Sequence, residues 1–394
     1  MNKILVVGTG YGQLPLIKKC KEMGIYTIGI DTNHKSPGAT LVDKFENIDL
    51  VNLNGALKIA KKYKINGTAT LQSDIGVPTI GYLNSKMFLD GISYRTALVC
   101  SHKDLFRNKL KKYKIRQPKF KIVKNYNSAL SAIKKISLPC IIKPVDASGS
   151  KGVAKLNNIK NLKSYLNNAL KFSKSGKVII EQFIDGLELG AQTFSLKNKS
   201  TKIFFHNDQL SSNGYFVPVG HSYPVRNKKL LEKYHKQIID TLKVLEIKEG
   251  PANFDLIINK RGEMFIIEVG ARTGATCLPE LTTRHTGLDW VKLVIESCLG
   301  KLNFFPDLKL NACAAKIIES PKDGKFFKFK LNQDLSAFSQ YNPEIEITSK
   351  KGDNVSILRK GTDRIGKVVV SAKSLSEAEK VCNEILSKIE IIVK

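Results

Sequence analysis

The chain has 394 residues, of which 42% are hydrophobic and 25% charged, a composition typical of a folded globular protein with two or three domains. Its net charge is +29, but only nine of the 64 basic residues are arginine and the lysines are spread along the whole chain. This pattern indicates a solvated basic surface and no specific nucleic-acid partner. No apolar run nears the roughly 18 residues that cross a membrane, and the seven scattered cysteines favour a reducing, cytoplasmic setting over a disulfide framework.

The first hundred residues alternate strand and helix patterns. A buried parallel strand, rather than a leader peptide, is predicted for KILVVG (3–8). A helix is predicted for GQLPLIKKCKEM (12–23), and a second strand for YTIGID (26–31). The turn GTGYGQ followed by Asp31 partly matches a dinucleotide-binding turn, although any doubly wound domain has tight turns of this kind. Helices near 54–63 and 95–113 and a strand near 67–71 continue the alternation.

The pattern changes after Pro118. Strands are predicted over 119–123 and 139–143 around a helix over 127–136, and antiparallel strands over 178–184, 189–196 and 201–207. A helix over 227–245 precedes strands over 252–259 and 263–270, and short strands with a helix over 375–388 follow from about 309. We therefore expect an α/β N-terminal domain, a larger α+β middle and a small C-terminal α+β unit.

Two features of the middle segment suit anionic ligands. Lys143 closes the apolar run PCIIK, and a buried ammonium group needs a partner such as a nucleotide phosphate; the alternative is a lysine whose amine reaches solvent at a sheet edge. The loop from Ser148 through Gly149 and Ser150 to Gly152 offers backbone amides and hydroxyls to phosphate oxygens, or is simply a flexible loop.

Carboxylates mark the ends of three predicted strands. Glu181 follows VII, and Glu188 lies seven residues further on, an arrangement that suits a nucleoside with a base and a ribose. Asp255 and Glu268 lie on strands joined by a short turn, so hairpin pairing should bring them side by side. Two carboxylates so close repel each other unless a proton or cation lies between them. Mg²⁺ is a suitable cation, because it binds through one or two carboxylates together with phosphate oxygens. Arg272 follows Glu268 among small residues.

The ordered series of Lys143, the glycine loop, EQFIDGLE, NFD and IIEVGAR resembles the ATP-grasp superfamily, and the likeness covers most of the chain. GTGYGQLPLI resembles the N-terminal domain of such ligases, and GTDRIGKVVVSAKS the C-terminal unit of the amino-acid-ligase and carboxylase branches. The resemblance implies a Rossmann-like pre-ATP-grasp domain over 1–98, an ATP-grasp domain over 99–308 and a small α+β subdomain over 309–394.

The resemblance also implies roles for individual residues. ATP would be contacted by Lys103, Lys143 and the 148–152 loop. Adenine would be bound by Glu181 and by the backbone of Gln182, Phe183 and Ile184. The ribose would be bound by Glu188. Asp255 and Glu268 would hold Mg²⁺, for which Mn²⁺ can substitute, and Arg272 would face an acyl phosphate. The family's usual Asn two residues after the second metal acid is Gly270 here.

The function that the resemblance implies is ligation of a small-molecule carboxylate to an amine, with ADP and phosphate as products and Arg272 and Lys143 as the catalytic residues. VPVGHSYPV (217–225) resembles the segment lining the acceptor pocket of amino-acid ligases, so His221 and Arg226 are candidate substrate contacts. Homodimers are usual in this superfamily. The rivals are a purine-pathway ligase or carboxylase, a non-catalytic nucleotide-binding protein on the same fold, and a nicotinamide-dependent oxidoreductase built on GTGYGQ.

Overall fold

A computed structural model of the chain describes residues 1–197, 200–211, 215, 217–226 and 229–394. The first third forms a parallel sheet of order β3-β2-β1-β4 with its helices. Its elements are β1 (Lys3–Val7), α1 (Leu14–Glu22), β2 (Tyr26–Asp31), β3 (Lys44–Asn47), α2 (Leu53–Tyr63), β4 (Gly67–Ala69), α3 (Val77–Met87), α4 (Tyr94–Ser101) and α5 (Lys103–Lys112). Because all four strands run in one direction, the turn after β1, Asp31 and the loop after β4 meet at one edge.

A single helix expected over 95–113 is two helices in the structure. The break falls at His102, whose backbone is extended with φ −123° and ψ 111°. Lys103 thereby becomes the first residue of α5, and its backbone N–H donates to the carbonyl of Val145 at 2.8 Å. This contact fixes the start of α5 beside the loop that begins after residue 144.

The middle of the chain begins with a small antiparallel sheet of order β5-β8-β6-β7, covered by two helices whose apolar faces share its core. Its elements are β5 (Phe120–Val123), α6 (Tyr126–Ile136), β6 (Cys140–Pro144), β7 (Ala154–Leu156), α7 (Leu162–Phe172) and β8 (Val178–Gln182). The predicted loop 148–152 connects β6 to β7, so it lies at the edge of this sheet.

A larger sheet of eight strands follows, in the order β13-β12-β9-β10-β11-β14-β18-β16. Its first part contains β9 (Gly186–Ser195), β10 (Thr201–Leu210), β11 (Pro218–Tyr223), α8 (Lys229–Leu245), β12 (Gly250–Asn259), β13 (Met264–Gly270), α9 (Leu278–Thr286) and α10 (Trp290–Cys298). The remainder contains β14 (Ala312–Ile318), β15 (Gly324–Leu331), β16 (Glu344–Ile347), β17 (Asn354–Val355), β18 (Gly366–Ala372), α11 (Leu375–Ser387) and β19 (Ile389–Val393). The sheet thus runs across the expected boundary at residue 308, and the bounds of the three domains stay predictions.

Four short 3₁₀ helices and a three-stranded sheet, β17-β15-β19, complete the described elements. The 3₁₀ helices are Tyr11–Gln13, Ile159–Asn161, Ser336–Tyr341 and Gly361–Asp363. One hydrophobic core joins β1 and β2 with α3, α4, α5, α8, β12 and β13, which packs the first sheet against the acid-bearing strands. All seven cysteines are free thiols, and within the described ranges no helix has the length and apolarity to cross a lipid bilayer.

Candidate functional site

The paired carboxylates lie on adjacent strands of the large sheet. Asp255 of β12 is the register partner of Glu268 of β13, as the hairpin predicts, and a bulge follows Asp255. Asp255 is exposed to solvent, but partial desolvation by the surrounding protein, followed by the charges of Glu268 and Asp208, raises its pKa to about 7. Burial also acts to raise the pKa of Glu268, but Lys103 and Lys143 outweigh it and hold that pKa below its ordinary value. One acid is therefore held ionised while the other is poised to lose a proton to a cation.

Lys103 connects the glycine loop to the second acid. Its ammonium group donates to the carbonyl of Ala147 at 2.9 Å and to Glu268 Oε1 at 3.2 Å. The loop that follows has positive φ at Gly149 (68°), Ser150 (60°) and Gly152 (72°), which turns the backbone sharply. A Cβ at position 149 would meet open space, so this part of the loop stands clear of the rest of the protein. The arrangement can bring backbone amides and a lysine to the same phosphate.

Glu181 lies in an internal network of ion pairs. It is 3% exposed, and its carboxylate binds Arg107 Nε at 2.7 Å, Arg107 Nη2 at 3.1 Å and Lys143 Nζ at 2.9 Å. Arg107 also donates to the carbonyls of Ile266 and Ile267 at 2.8 Å each. The carboxylate is thus an internal ion-pair partner that ties α5, β6, β8 and β13 together, and the expectation that Glu181 takes adenine stays a prediction.

Lys143 is buried in this network. Burial lowers its pKa, Glu181 opposes that effect, and the cations Arg107 and Lys103 lower it further. A single shared carboxylate does not fully neutralise two buried cations, so an added anion would stabilise the ammonium group. Sequence reasoning missed Arg107, because nothing in the lysine-rich pattern of α5 separates one internal arginine from the solvated residues around it.

The segment expected to bind the base is partly engaged by the protein itself. The backbone N–H of Gln182 donates to the carbonyl of Lys119 at 2.8 Å, and that of Phe183 to Pro139 at 3.3 Å. Lys155 of β7 lies 3.5 Å from the centroid of the Phe183 ring. The amide groups of Gln182 and Phe183 thus hold strands together, and the adenine contacts assigned to Gln182, Phe183 and Ile184 stay a prediction.

Glu188 lies on β9, on the same sheet face as the acids. Its register partner on β12 is Ile257, two residues after Asp255. Burial, followed by the nearby charge of Asp208, raises the pKa of Glu188 to about 7. A carboxyl group titrating there can accept a hydrogen bond when ionised and donate one when protonated, both of which suit a ribose hydroxyl.

Arg272 is held by Asp74, an acid in the loop after β4. Its Nε and Nη2 lie 2.8 and 2.7 Å from Asp74 Oδ1, and its Nη1 donates to the carbonyl of Thr273 at 2.9 Å. The guanidinium lies close to Gly270, where a Cβ would come within 3.2 Å of Cζ. Sequence reasoning missed Asp74, although its place in the loop after a parallel strand is where ligand contacts gather in such sheets.

The two candidate substrate contacts have partners within the protein. His221 is buried, and its Nδ1 lies 2.6 Å from Asp208 Oδ1. Arg226 is exposed and forms an ion pair of 2.6 Å with Glu379 of α11. Both assignments stay predictions.

Asp31, the acid that follows the GTGYGQ turn at the spacing of a dinucleotide-binding site, also has a structural role. Asp31 accepts hydrogen bonds from the backbone N–H of Thr9 at 2.8 Å and from its hydroxyl at 3.2 Å, and it accepts another from the N–H of Asn33 at 3.1 Å. Its carboxylate therefore closes the glycine turn. This observation weighs against a nicotinamide-dependent oxidoreductase, which would use the same carboxylate to bind a ribose.

Comparison with known proteins defines the class of the chain. Residues 100–276 match the family profile of the ATP-grasp domain, so the chain contains an ATP-grasp domain. Residues 339–394 match the L-amino acid ligase C-terminal domain 2. These matches confirm the resemblance and the mixed α/β fold expected from the sequence.

Individual relatives agree with this placement. The chain is 28% identical to phosphoribosylglycinamide synthetase from Anaerococcus prevotii, with a TM-score of 0.81 and full coverage of both chains. It shares the fold of L-amino acid ligase from Bacillus licheniformis, with 20% identity and a TM-score of 0.84. That comparison covers 100% of this chain and 99% of the ligase chain. It is 26% identical over 322 residues to the carbamoyl phosphate synthase large chain of Thermoanaerobacter pseudethanolicus, covering 76% of this chain but only 29% of that relative.

Proposed function

We propose that the protein is an ATP-dependent ligase that activates a carboxylate as an acyl phosphate and joins it to an amine. The observation that carries this proposal is the pair Asp255 and Glu268 with three cations around it. Lys103 of α5 forms an ion pair with Glu268, and the charges of Lys143 of β6 and Arg272 after β13 also act on that carboxylate. A cluster of this kind supplies what phosphoryl transfer needs, which is charge stabilisation and positioning rather than a protein nucleophile.

The residues divide between the nucleotide and the reacting groups. Lys103, Lys143 and the 148–152 loop bind phosphates, Glu188 binds the ribose, and the backbone of 182–184 borders the base. Asp255 and Glu268 fit Mg²⁺ because two oxygen donors face each other and one of them is poised to release a proton. A bound Mg²⁺ or Mn²⁺ neutralises phosphate charge during transfer.

Arg272 supplies the second half of the chemistry. The γ-phosphoryl group passes from ATP to a carboxylate oxygen, releasing ADP, and the amine nitrogen then attacks the acyl carbon and expels phosphate with loss of one proton. A guanidinium can hold the carboxylate before transfer and the acyl phosphate after it. The small-molecule acceptor would approach His221 and Arg226, and a homodimer is compatible with the proposal.

A second candidate is a ligase of the purine-pathway type, acting on an amine that carries a phosphoribosyl group. It is favoured by the full-length similarity to phosphoribosylglycinamide synthetase. The two candidates share the phosphoryl-transfer site and differ in the amine, so one assay separates them.

The test is phosphate release from Mg·ATP with panels of amino acids, small acids and amines, including phosphoribosylamine. We expect release to require one carboxylate and one amine together, and Glu268→Gln to abolish it. Glu296→Gln, which removes an acid paired with Lys292 on α10, is the matched control and should keep parental rates. Release that is independent of both substrates, or ATP binding without release for any pair, would contradict the ligase and favour a nucleotide-binding protein.

A further inference from the structure

Two histidines and an aspartate meet on one face of the large sheet. His206 and Asp208 are two residues apart on β10, so their side chains project to the same face. His221 is the register partner of Asp208 on β11, which places its ring beside the carboxylate on that face. One ligand atom from each residue lies within 4.8 Å of the other two, and among the described residues this is the one such group that could hold a metal ion.

The carboxylate of Asp208 lies between the two imidazoles. Its Oδ1 is 2.6 Å from Nδ1 of His206 and 2.6 Å from Nδ1 of His221. Only 1% and 4% of the two histidine side chains are exposed, against 13% of the aspartate side chain. The ring planes are nearly perpendicular, at 86°, with their centroids 5.1 Å apart. Two nitrogens and one oxygen, the donor types that zinc takes from histidine and aspartate, therefore converge in a buried place.

The charges around this group favour a cation. Burial acts to raise the pKa of Asp208, but His206 and His221 outweigh it and hold that pKa below its ordinary value, so the carboxylate is ionised. Its negative charge in turn helps to raise the pKa of Glu188 and of Asp255. Three carboxyl groups thus act on one another here, and a dication bound at Asp208 would reduce the repulsion among them.

Neither ring has a further contact that would fix its tautomer against a metal. Nε2 of His206 and Nε2 of His221 are buried and have no hydrogen-bond partner among the described residues. In the metal-free group we assign a proton to each Nδ1, which donates it to Asp208 Oδ1, and a lone pair to each Nε2. Binding a cation through Nδ1 moves each proton to Nε2 with no net loss, and no donor to Nε2 opposes that move.

The spacing of the donors is close to that of a metal site. Zn²⁺ with bonds of about 2.0–2.1 Å keeps tetrahedral ligand atoms about 3.3 Å apart. Each separation of 2.6 Å between Nδ1 and Oδ1 therefore has to widen by about 0.7 Å, which small rotations about the χ angles cover. Gly190 lies opposite His206 on β9, and a Cβ there would clash with the imidazole. The missing side chain gives this ring its place in the group.

We propose that Nδ1 of His206, Nδ1 of His221 and a carboxylate oxygen of Asp208 hold a divalent transition-metal ion of the Zn²⁺ type. Imidazole together with carboxylate suits Zn²⁺, whereas Mg²⁺ selects oxygen donors. The site is separate from the pair Asp255 and Glu268 and does not rest on the proposed function. The ion links β10 to β11 and fixes the ring of His221, and three protein ligands leave a fourth position for water or a substrate atom.

The test is calorimetric titration of chelator-treated protein with Zn²⁺, in excess Mg²⁺ so that sites made of oxygen donors are filled. We expect one Zn²⁺ per chain and a higher melting temperature for the loaded protein. His206→Gln, His221→Gln and Asp208→Asn should each lose more Zn²⁺ affinity than the about 10–100-fold that an outer-shell change costs. His235→Gln, which replaces an exposed imidazole stacked on Phe205, is the matched control and should bind as the parental protein does.

Two further measurements separate this site from its alternatives. Asp255→Asn and Glu268→Gln should keep the parental Zn²⁺ affinity, because those acids do not bind this ion. Loss of Zn²⁺ in either variant, with binding retained in His221→Gln, would assign the ion to the acid pair and overturn the proposal. Magnetic resonance of protein labelled with nitrogen-15 histidine should show the proton of two rings moving from Nδ1 to Nε2 on loading.

Three results would overturn the proposal from the histidine side. Zn²⁺ that binds without a tautomer change in two rings is held elsewhere. Zn²⁺ that binds equally well to all three site variants is adventitious. A parental protein that takes up no Zn²⁺ would leave hydrogen bonds as the full account of the group, and this last result does not depend on the folding of any variant.

Discussion

The Glu181 network allows a prediction whose magnitude follows from the structure. Burial acts to raise the pKa of Glu181, but Arg107 and Lys143 outweigh it and lower the pKa from 4.5 to about 2. The difference of about 2.5 units corresponds to about 3 kcal/mol, at about 1.4 kcal/mol per unit. Removing one partner of a buried ion pair typically costs about 3–5 kcal/mol, which agrees. We expect Glu181→Gln to lower the free energy of unfolding by about 3 kcal/mol at pH 7.

The pH dependence has a definite sign. Because the folded pKa lies below the unfolded one, the stabilisation is present above pH 4.5 and is lost as the pH falls toward about 2. The difference between the parental protein and Glu181→Gln should therefore narrow on acidification through this window.

Urea unfolding at pH 7 and at steps below pH 5, followed by fluorescence and by circular dichroism, measures both effects. Asp240→Asn, which breaks the exposed pair between Lys236 and Asp240, is the control and should change stability by less than about 0.5 kcal/mol. If the free energy of unfolding of Glu181→Gln were within about 1 kcal/mol of the parental value but its affinity for ATP were lost, the internal ion-pair role would be wrong and the adenine contact would be supported.

Three further predictions concern the site. Glu268→Gln should fold normally, lose about 10²–10³ in turnover and show a weaker Mg²⁺ dependence. If this variant kept the parental turnover, the charge of Glu268 would have a structural role only. Arg272→Lys should keep ATP binding but lose activation of the carboxylate, because an ammonium group cannot replace the two parallel hydrogen bonds of a planar guanidinium. A calorimetric titration in which the variant lost ATP affinity as well would contradict this separation of roles. Mg·ATP should raise the melting temperature and NADH should not, and the reverse result would revive the oxidoreductase.

The strands that carry the site were predictable because their patterns are local. Apolar runs that each contain a single acid predict β12 and β13 to within two residues of their bounds, and the short turn between them fixes the pairing of Asp255 with Glu268. By contrast α10 is not predicted, because seven of its nine residues are buried and only Lys292 and Glu296, one turn apart, mark its polar side. Two polar residues in an otherwise apolar run give a weak helical period.

The partners of the charged residues could not be predicted, because they come from distant parts of the chain. Arg107 and Glu181 are 74 residues apart, and Asp74 and Arg272 are 198 residues apart. A sequence motif states which residue types a site needs but not which other charges neutralise them. Glu181 fits the family motif for adenine binding, but the motif does not indicate that two cations from other elements bind its carboxylate.

The contact between Arg272 and Asp74 links the first domain to the proposed chemistry. With two of its nitrogens on Asp74 and the third on a backbone carbonyl, the guanidinium is already occupied by a carboxylate before any substrate is present. A substrate carboxylate that binds this fork must share it with Asp74 or replace it. Either event would change the contact that holds the loop after β4 against β13, so the proposed binding of a carboxylate at Arg272 would be coupled to the packing of that loop. The coupling would act in both directions: a change that weakens the contact with Asp74 would free the guanidinium for substrate and loosen the loop at the same time.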